Sequence, residues 1–261
     1  MYAVVCAVAL LAAALTFFSG FGLGTLLMPA FAFFFPIEVA VAATAVVHLA
    51  NNLFKAGLVG RHAHWPTVVK FGAPAVVAAF AGAWVLAKLS SSHVLHSYTL
   101  GGRTCEITWS GLVIALVIGA FALLELWPRF DKLQFPARLV PVGGAISGFF
   151  GGLSGHQGAL RTAFLVRLGL CKEAFIATGT IVAVLIDLSR LAVYGVMFFA
   201  KDWAVLRERN GVSLVIAAAG AAFVGSFFGA KLMKKVTMQG VRRAVGVMLV
   251  LMAVALGAGV V

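Results

Sequence analysis

Apolar positions run almost unbroken along this chain, and the few polar residues inside the runs are placed rather than scattered. Runs at about residues 2–19, 38–54, 67–87, 109–127, 174–186, 212–230 and 244–261 approach the roughly 20 residues a helix needs to cross a bilayer. One more span, across 139–170, is interrupted by glycines. The pattern predicts an all-α integral membrane protein of about eight transmembrane helices that fill nearly the whole chain. Residues 90–108 depart from it. They alternate around Gly101-Gly102, which predicts a small β-hairpin outside the bilayer.

Two of the apolar stretches are broken by glycine. The first reads Ser19-Gly20-Phe21-Gly22-Leu23-Gly24 and runs on to Pro29; the second reads Gly151-Gly152-Leu153-Ser154-Gly155-His156-Gln157-Gly158 and runs on to Arg161 and Ala163. With an offset of 134, Gly24 falls on Gly158 and Ala43-Thr44 on Ala177-Thr178; one inserted residue then places Lys55 on Arg190 and Gly60 on Gly195. The tract from Gly82 to Leu89 resembles that from Gly225 to Leu232. These ordered matches predict two similar four-span halves, with residues 1–127 as the first, 128–138 as the linker and 139–261 as the second. Residues 2–35 would make a helix of about 50 Å at 1.5 Å per residue, longer than the hydrocarbon thickness of about 30 Å. A span followed by a re-entrant half-helix is expected there, with Pro36 at the turn, and the same choice recurs across 139–170.

Glycine breaks at matching places in two halves point to a transported substrate's site. Broken backbone is tolerated in a membrane only where it is buried or lines a wet cavity, and a half-helix that starts there presents N–H groups and positive dipole to an anion. Close helix packing through small residues is the structural alternative. The candidate substrate-binding residues are Gly22, Gly24, Asn51, Asn52, Gly155, His156, Gln157, Gly158, Arg161 and Arg190. Arg161 sits where a half-helix begins, against the dipole, and an arginine in the membrane costs at least about 2.5–3.5 kcal/mol. A passing anion would offset both, as would pairing with Asp187 or snorkelling.

His48, Asn51 or Asn52, and Lys55 share one helix face, and Asp187, Arg190 and Tyr194 share another. His48, Lys55, Asp187 and Tyr194 are the candidates for the pathway or for coupling to an ion. Asp187 and Arg190 have ion-pair spacing, and Lys55 lies near a span end, where a lysine snorkels. His156 could donate to an anion, titrate near neutral pH or satisfy broken carbonyls.

Composition agrees with the membrane reading: 62% of the 261 residues are hydrophobic and 11% are charged. The net charge of +12 belongs to loops and span ends rather than to a nucleic-acid-binding face. Basic loops fall on both sides, so charge does not orient the protein. The N-terminus lacks the cationic stretch of a cleavable signal, and residues 2–19 are expected to be retained. Cys6, Cys105 and Cys171 have neither disulfide nor metal spacing. Two histidine pairs, His62 with His64 and His93 with His96, lack Cys or carboxylate partners for a metal site. Catalytic motifs and a nucleotide-binding loop are absent, so no enzyme activity and no cofactor are expected, and active transport would draw on an ion gradient.

The Gly20–Gly24 run with Pro29, the Glu38–Thr44 tract, the second glycine run with Ala177-Thr178, Gly229-Ala230-Lys231-Leu232 and Arg242-Arg243 together resemble the sulfite exporter TauE/SafE family over nearly the whole chain. The resemblance implies transport of small sulfur-containing oxyanions, such as sulfite, sulfonates or sulfoacetate, across a bacterial inner membrane by a protein of two similar four-span halves. The chain departs from the family at Ala163, where a proline is usual, and at His156 and Gln157, where glycines are common. The departures bear on the substrate more than on the fold. An exporter of a sulfur oxyanion, held near the midplane between the two breaks, is the leading expectation. Its partners are the small anion, membrane lipids and a coupling ion, H+ or Na+; a homodimer is one arrangement left open. The alternatives are a passive anion channel, a divalent metal permease and a scaffold without transport.

Overall fold

A computed structural model describes residues 1–16, 23–89, 94–127, 134–197, 210–232 and 238–260. Ten α-helices and one hairpin are present among them. The helices are α1 (Tyr2–Thr16), α2 (Leu23–Ala32), α3 (Ile37–Val59), α4 (Trp65–Leu89), α5 (Trp109–Leu126), α6 (Val140–Ser154), α7 (Gly158–Leu165), α8 (Lys172–Met197), α9 (Gly211–Leu232) and α10 (Met238–Gly257). Ile37–His62, Trp65–Leu89, Trp109–Leu126, Lys172–Val196 and Gly211–Gly229 are long and apolar enough to cross a membrane. Tyr2–Ala14, Leu23–Ala32 and Val245–Gly257 are shorter apolar helices. Many large apolar side chains point outward, among them Val77, Leu116, Leu123 and Val196, whereas Asp187, Arg190 and Thr178 are fully buried. That inversion suits a multi-pass protein solvated by lipid.

The stretch from 2 to 35 divides into α1 and α2, with residues 17–22 outside the described set. Pro36 stands at the N-terminus of α3 with φ −51° and ψ 150°, so it marks the expected turn. Most of the 128–138 linker and the loops near 207 and 235 also lie outside the described residues. The apolar run at 174–186 understates its helix, because α8 continues to Met197 and carries Asp187, Arg190 and Tyr194 within it.

Packing is set by glycines. Gly144, Gly148 and Gly152 lie along one face of α6, and a Cβ on any of them would collide with the carbonyl oxygen of Phe71, Ala75 or Ala79 on α4, respectively. Gly82 of α4 is pressed in the same way against the Phe149 carbonyl of α6. Gly225 and Gly229 of α9 meet the carbonyls of Leu10 and Ala14 on α1. With no hydrophobic drive between helices in lipid, such backbone approaches supply the van der Waals contact that holds them. α3 packs on α8 and α5 on α10. Within the 151–158 run, Gly151 and Gly152 are helical and bring α6 against its neighbours, and the chain breaks only after Ser154.

The expected hairpin forms from β1 (Val94–Leu100) and β2 (Arg103–Thr108). Tyr98 pairs with Cys105 and Leu100 with Arg103, around Gly101 and Gly102 at φ +57° and +79°. Both turn residues need the left-handed region that glycine supplies. The Tyr98 hydroxyl donates to the Ala258 carbonyl at 2.5 Å and the Glu106 N–H to Gly259 at 3.2 Å, tying the hairpin to the end of α10.

Candidate functional site

The break between α6 and α7 is built around Gly155, whose φ of +83° ends α6 in the left-handed conformation. The chain then turns through His156 and Gln157, and α7 starts at Gly158 with no side-chain cap. Ser147 on α6 fixes the turn from below, its hydroxyl donating to the Gln157 carbonyl at 2.8 Å. Gly24, in the first turn of α2, faces the same place: a Cβ there would lie 3.5 Å from the Gly155 carbonyl oxygen and 3.5 Å from the His48 ring. The start of α2 and the second break thus meet over α3. Gly22 lies outside the described residues.

Asp187 of α8 is the centre of the polar cluster. Its Oδ1 accepts from Arg190 NH2 at 2.8 Å, Arg190 Nε at 3.1 Å and Gln157 Nε2 at 3.2 Å. Its Oδ2 accepts from His48 Nδ1 at 2.6 Å and Asn52 Nδ2 at 3.3 Å. A fully buried carboxylate with five donors around it is held firmly as an anion. Because Nδ1 of His48 donates to it, Asn52 directs its amide to Asp187 rather than to the ring. Arg161 joins the cluster through Gln157, donating from NH1 to Oε1 at 3.2 Å. Its guanidinium also lies over Gly179, where a Cβ would stand 3.4 Å from Nε.

The intrahelical Asp187–Arg190 pair expected from spacing is present. Three other placements differ from expectation. Lys55 does not snorkel; it is buried within α3, one helical turn beyond Asn52. Tyr194 gives its hydroxyl to the Gly152 carbonyl and so holds the last turn of α6. Asn51 turns away from Asn52 and accepts from Ser226 of α9 at 2.7 Å.

Arg161, Arg190 and Lys55 are all buried, as is Asp187, which bonds Arg190 directly and is linked to Arg161 through Gln157. Two polar groups in this region are buried donors with an atom unpartnered, Arg190 NH1 and Asn51 Nδ2, and His156 Nε2 is a buried ring nitrogen in the same state. NH1 faces Gly155. His156 bonds Ser154 through Nδ1 at 3.1 Å and stacks on Phe121 at 5.2 Å, which leaves Nε2 as its second polar edge. A buried donor without a partner costs about 1–3 kcal/mol, so donors in this state call for an acceptor.

Sequence reasoning missed Ser147, Gly179, Ser226 and the His48–Asp187 bond. The small residues carry no periodic signal of their own. The bond had one: the shift that sets Lys55 on Arg190 also sets Asn52 on Asp187, and those two residues touch. Among the described residues no group of three or more His, Cys, Asp or Glu could hold a metal ion.

A family model described as Sulfite exporter TauE/SafE matches residues 5–256 of the chain. It describes a family of membrane transporters of sulfur anions, not of enzymes. No curated protein and no solved structure matches the chain.

Proposed function

The chain belongs to the sulfite exporter TauE/SafE family, and on that premise we propose that it is a secondary transporter exporting small sulfur-containing oxyanions, such as sulfite or organosulfonates, across the inner membrane. The anion binds where the start of α2 meets the α6–α7 break. Its charge is met by Arg190, Arg161 and Lys55, and its oxygens accept from Arg190 NH1. One observation carries this reading: Arg190 NH1 is buried without a hydrogen-bond partner and faces Gly155 at the α6–α7 break. A buried guanidinium nitrogen left without an acceptor is costly, and a small anion at the break is the partner that supplies one.

The two-half, eight-span architecture belongs to the same proposal. The pairings α1 with α9 and α4 with α6 support it, as does the pairing of α3 with α8 and of α5 with α10. Under the repeat, each of these joins an element of one half to the reciprocal element of the other. Transport then proceeds by movement of one half against the other around the shared site. Thermal stability of the purified protein tests the ligand class. Sulfite, thiosulfate or a sulfonate should raise the unfolding temperature in proportion to occupancy. Stabilisation by divalent metals alone would overturn the reading.

A further inference from the structure

His48 is joined to the buried cluster at one ring nitrogen and open at the other. Nδ1 donates to Asp187 at 2.6 Å, so this nitrogen keeps its proton and Nε2 is the one that titrates. Asn52 Nδ2 stands 3.5 Å from Nε2, at the limit of hydrogen bonding. The His48 side chain is 12% exposed while Asp187 is 0% exposed, so the pair is reached from the imidazole side. The open edge faces Gly24: a Cβ there would stand 3.9 Å from Nε2 and 3.5 Å from the Gly155 carbonyl oxygen. The titrating nitrogen therefore looks at the place where the two helix starts meet.

We propose that His48 is the proton carrier of this transporter, taking a proton on Nε2 as the anion binds, so that proton and anion cross together in the direction set by the anion's own gradient. The inference rests on the anion site proposed above. The proton comes from water in the open pathway, adds to the Nε2 lone pair and leaves the same way after the anion departs. Asp187 orients the ring and stabilises the imidazolium. Arg190 on α8 bonds the same carboxylate, Arg161 on α7 is joined to it through Gln157, and Lys55 lies on the same helix as His48; all three cations oppose a charge on the ring. α2 presents no titratable side chain, α9 presents Ser226 to Asn51, and Glu125 of α5 lies against Gly246 of α10. A bound anion cancels the repulsion and accepts the new Nε2–H. By linkage, the proton then favours the anion as much as the anion favours the proton. His156 is a weaker carrier, since its Nδ1 meets the Ser154 carbonyl and hydroxyl instead of a carboxylate.

Calorimetric titration of the purified protein with methanesulfonate, whose charge does not change with pH, tests this in two buffers of different ionisation enthalpy. The difference in heat reads the protons taken up for each anion bound. Uptake well above zero somewhere between about pH 5 and 8, the range over which histidine changes charge, is the expected result for the unaltered protein. Binding heat with no uptake would overturn the role of His48 while leaving the anion site standing; absence of binding heat for methanesulfonate and sulfite alike would contradict the anion site itself. H48Q should bind methanesulfonate more weakly, and the binding that remains should bring no proton uptake. Uptake kept in H48Q but lost in H156Q would also overturn the assignment. In liposomes enclosing a pH-sensitive dye, anion entry should carry protons inward for the unaltered protein, and entry without acidification would overturn it.

Discussion

The Arg190 guanidinium lies directly against Gly155: a methyl group built on that glycine would stand 2.9 Å from NH1. The left-handed turn and the arginine that faces it are one unit, because any side chain at 155 would both strain the backbone and push the guanidinium away. Gly155→Ala should therefore cost about 1–2 kcal/mol from the backbone alone. It should also weaken stabilisation by sulfite. Thermal unfolding with and without sulfite separates the two effects. A variant that loses stability but keeps the full sulfite shift would place the anion elsewhere.

Asp187 accepts from Arg190, Gln157, His48 and Asn52. Asp187→Asn removes the carboxylate charge at the centre of the cluster and offers a donor where acceptors are needed. Breaking a buried ion pair by removing one partner costs about 3–5 kcal/mol. Asn52→Ala, which removes a single 3.3 Å bond to the carboxylate, should cost about 1 kcal/mol. Denaturant unfolding in detergent micelles should rank the two in that order, and equal losses would show that Asp187 is not the hub.

Gly148 has the Ala75 carbonyl directly against it, whereas Gly220 has nothing within 4 Å of where its Cβ would be. Gly148→Ala should destabilise by about 1–3 kcal/mol through overpacking of α4 against α6. Gly220→Ala should be neutral or gain about 0.5–1 kcal/mol from helix propensity. The yield and melting temperature of the two folded variants check this contrast. A tolerated alanine at 148 would mean that α4 and α6 are not held by backbone contact.

Much of this was legible in the pattern of residues. The apolar runs placed the helices, the Gly-Gly turn placed the hairpin, and the i, i+3 spacing of Asp187 and Arg190 gave their ion pair. The glycine run at 151–158 was ambiguous for a physical reason: one residue type serves both close packing, at Gly152, and backbone reversal, at Gly155. Lys55 looked like a snorkelling lysine because the apolar run thins near it, yet the helix continues to Val59 and keeps it inside. The His48–Asp187 bond joins residues 139 positions apart, and a one-helix stripe carries no information about what faces it. Ser226, a small hydroxyl in an apolar run, was silent until α9 lay beside Asn51.

Arg161 gives the most direct test of the central claim. Its NH1 reaches Gln157 at 3.2 Å, and the side chain is buried at the start of α7. Loss of one charged hydrogen-bonding group from an anion site costs about 1.5–3 kcal/mol, or roughly 10- to 100-fold in binding. The measurement is sulfite flux into proteoliposomes, compared for the unaltered protein and Arg161→Ala at equal folded protein. Saturable flux that falls at least about tenfold in the variant is the predicted result. Unchanged flux in Arg161→Ala, or no sulfite flux in the unaltered protein, would contradict a buried cationic site for a sulfur oxyanion.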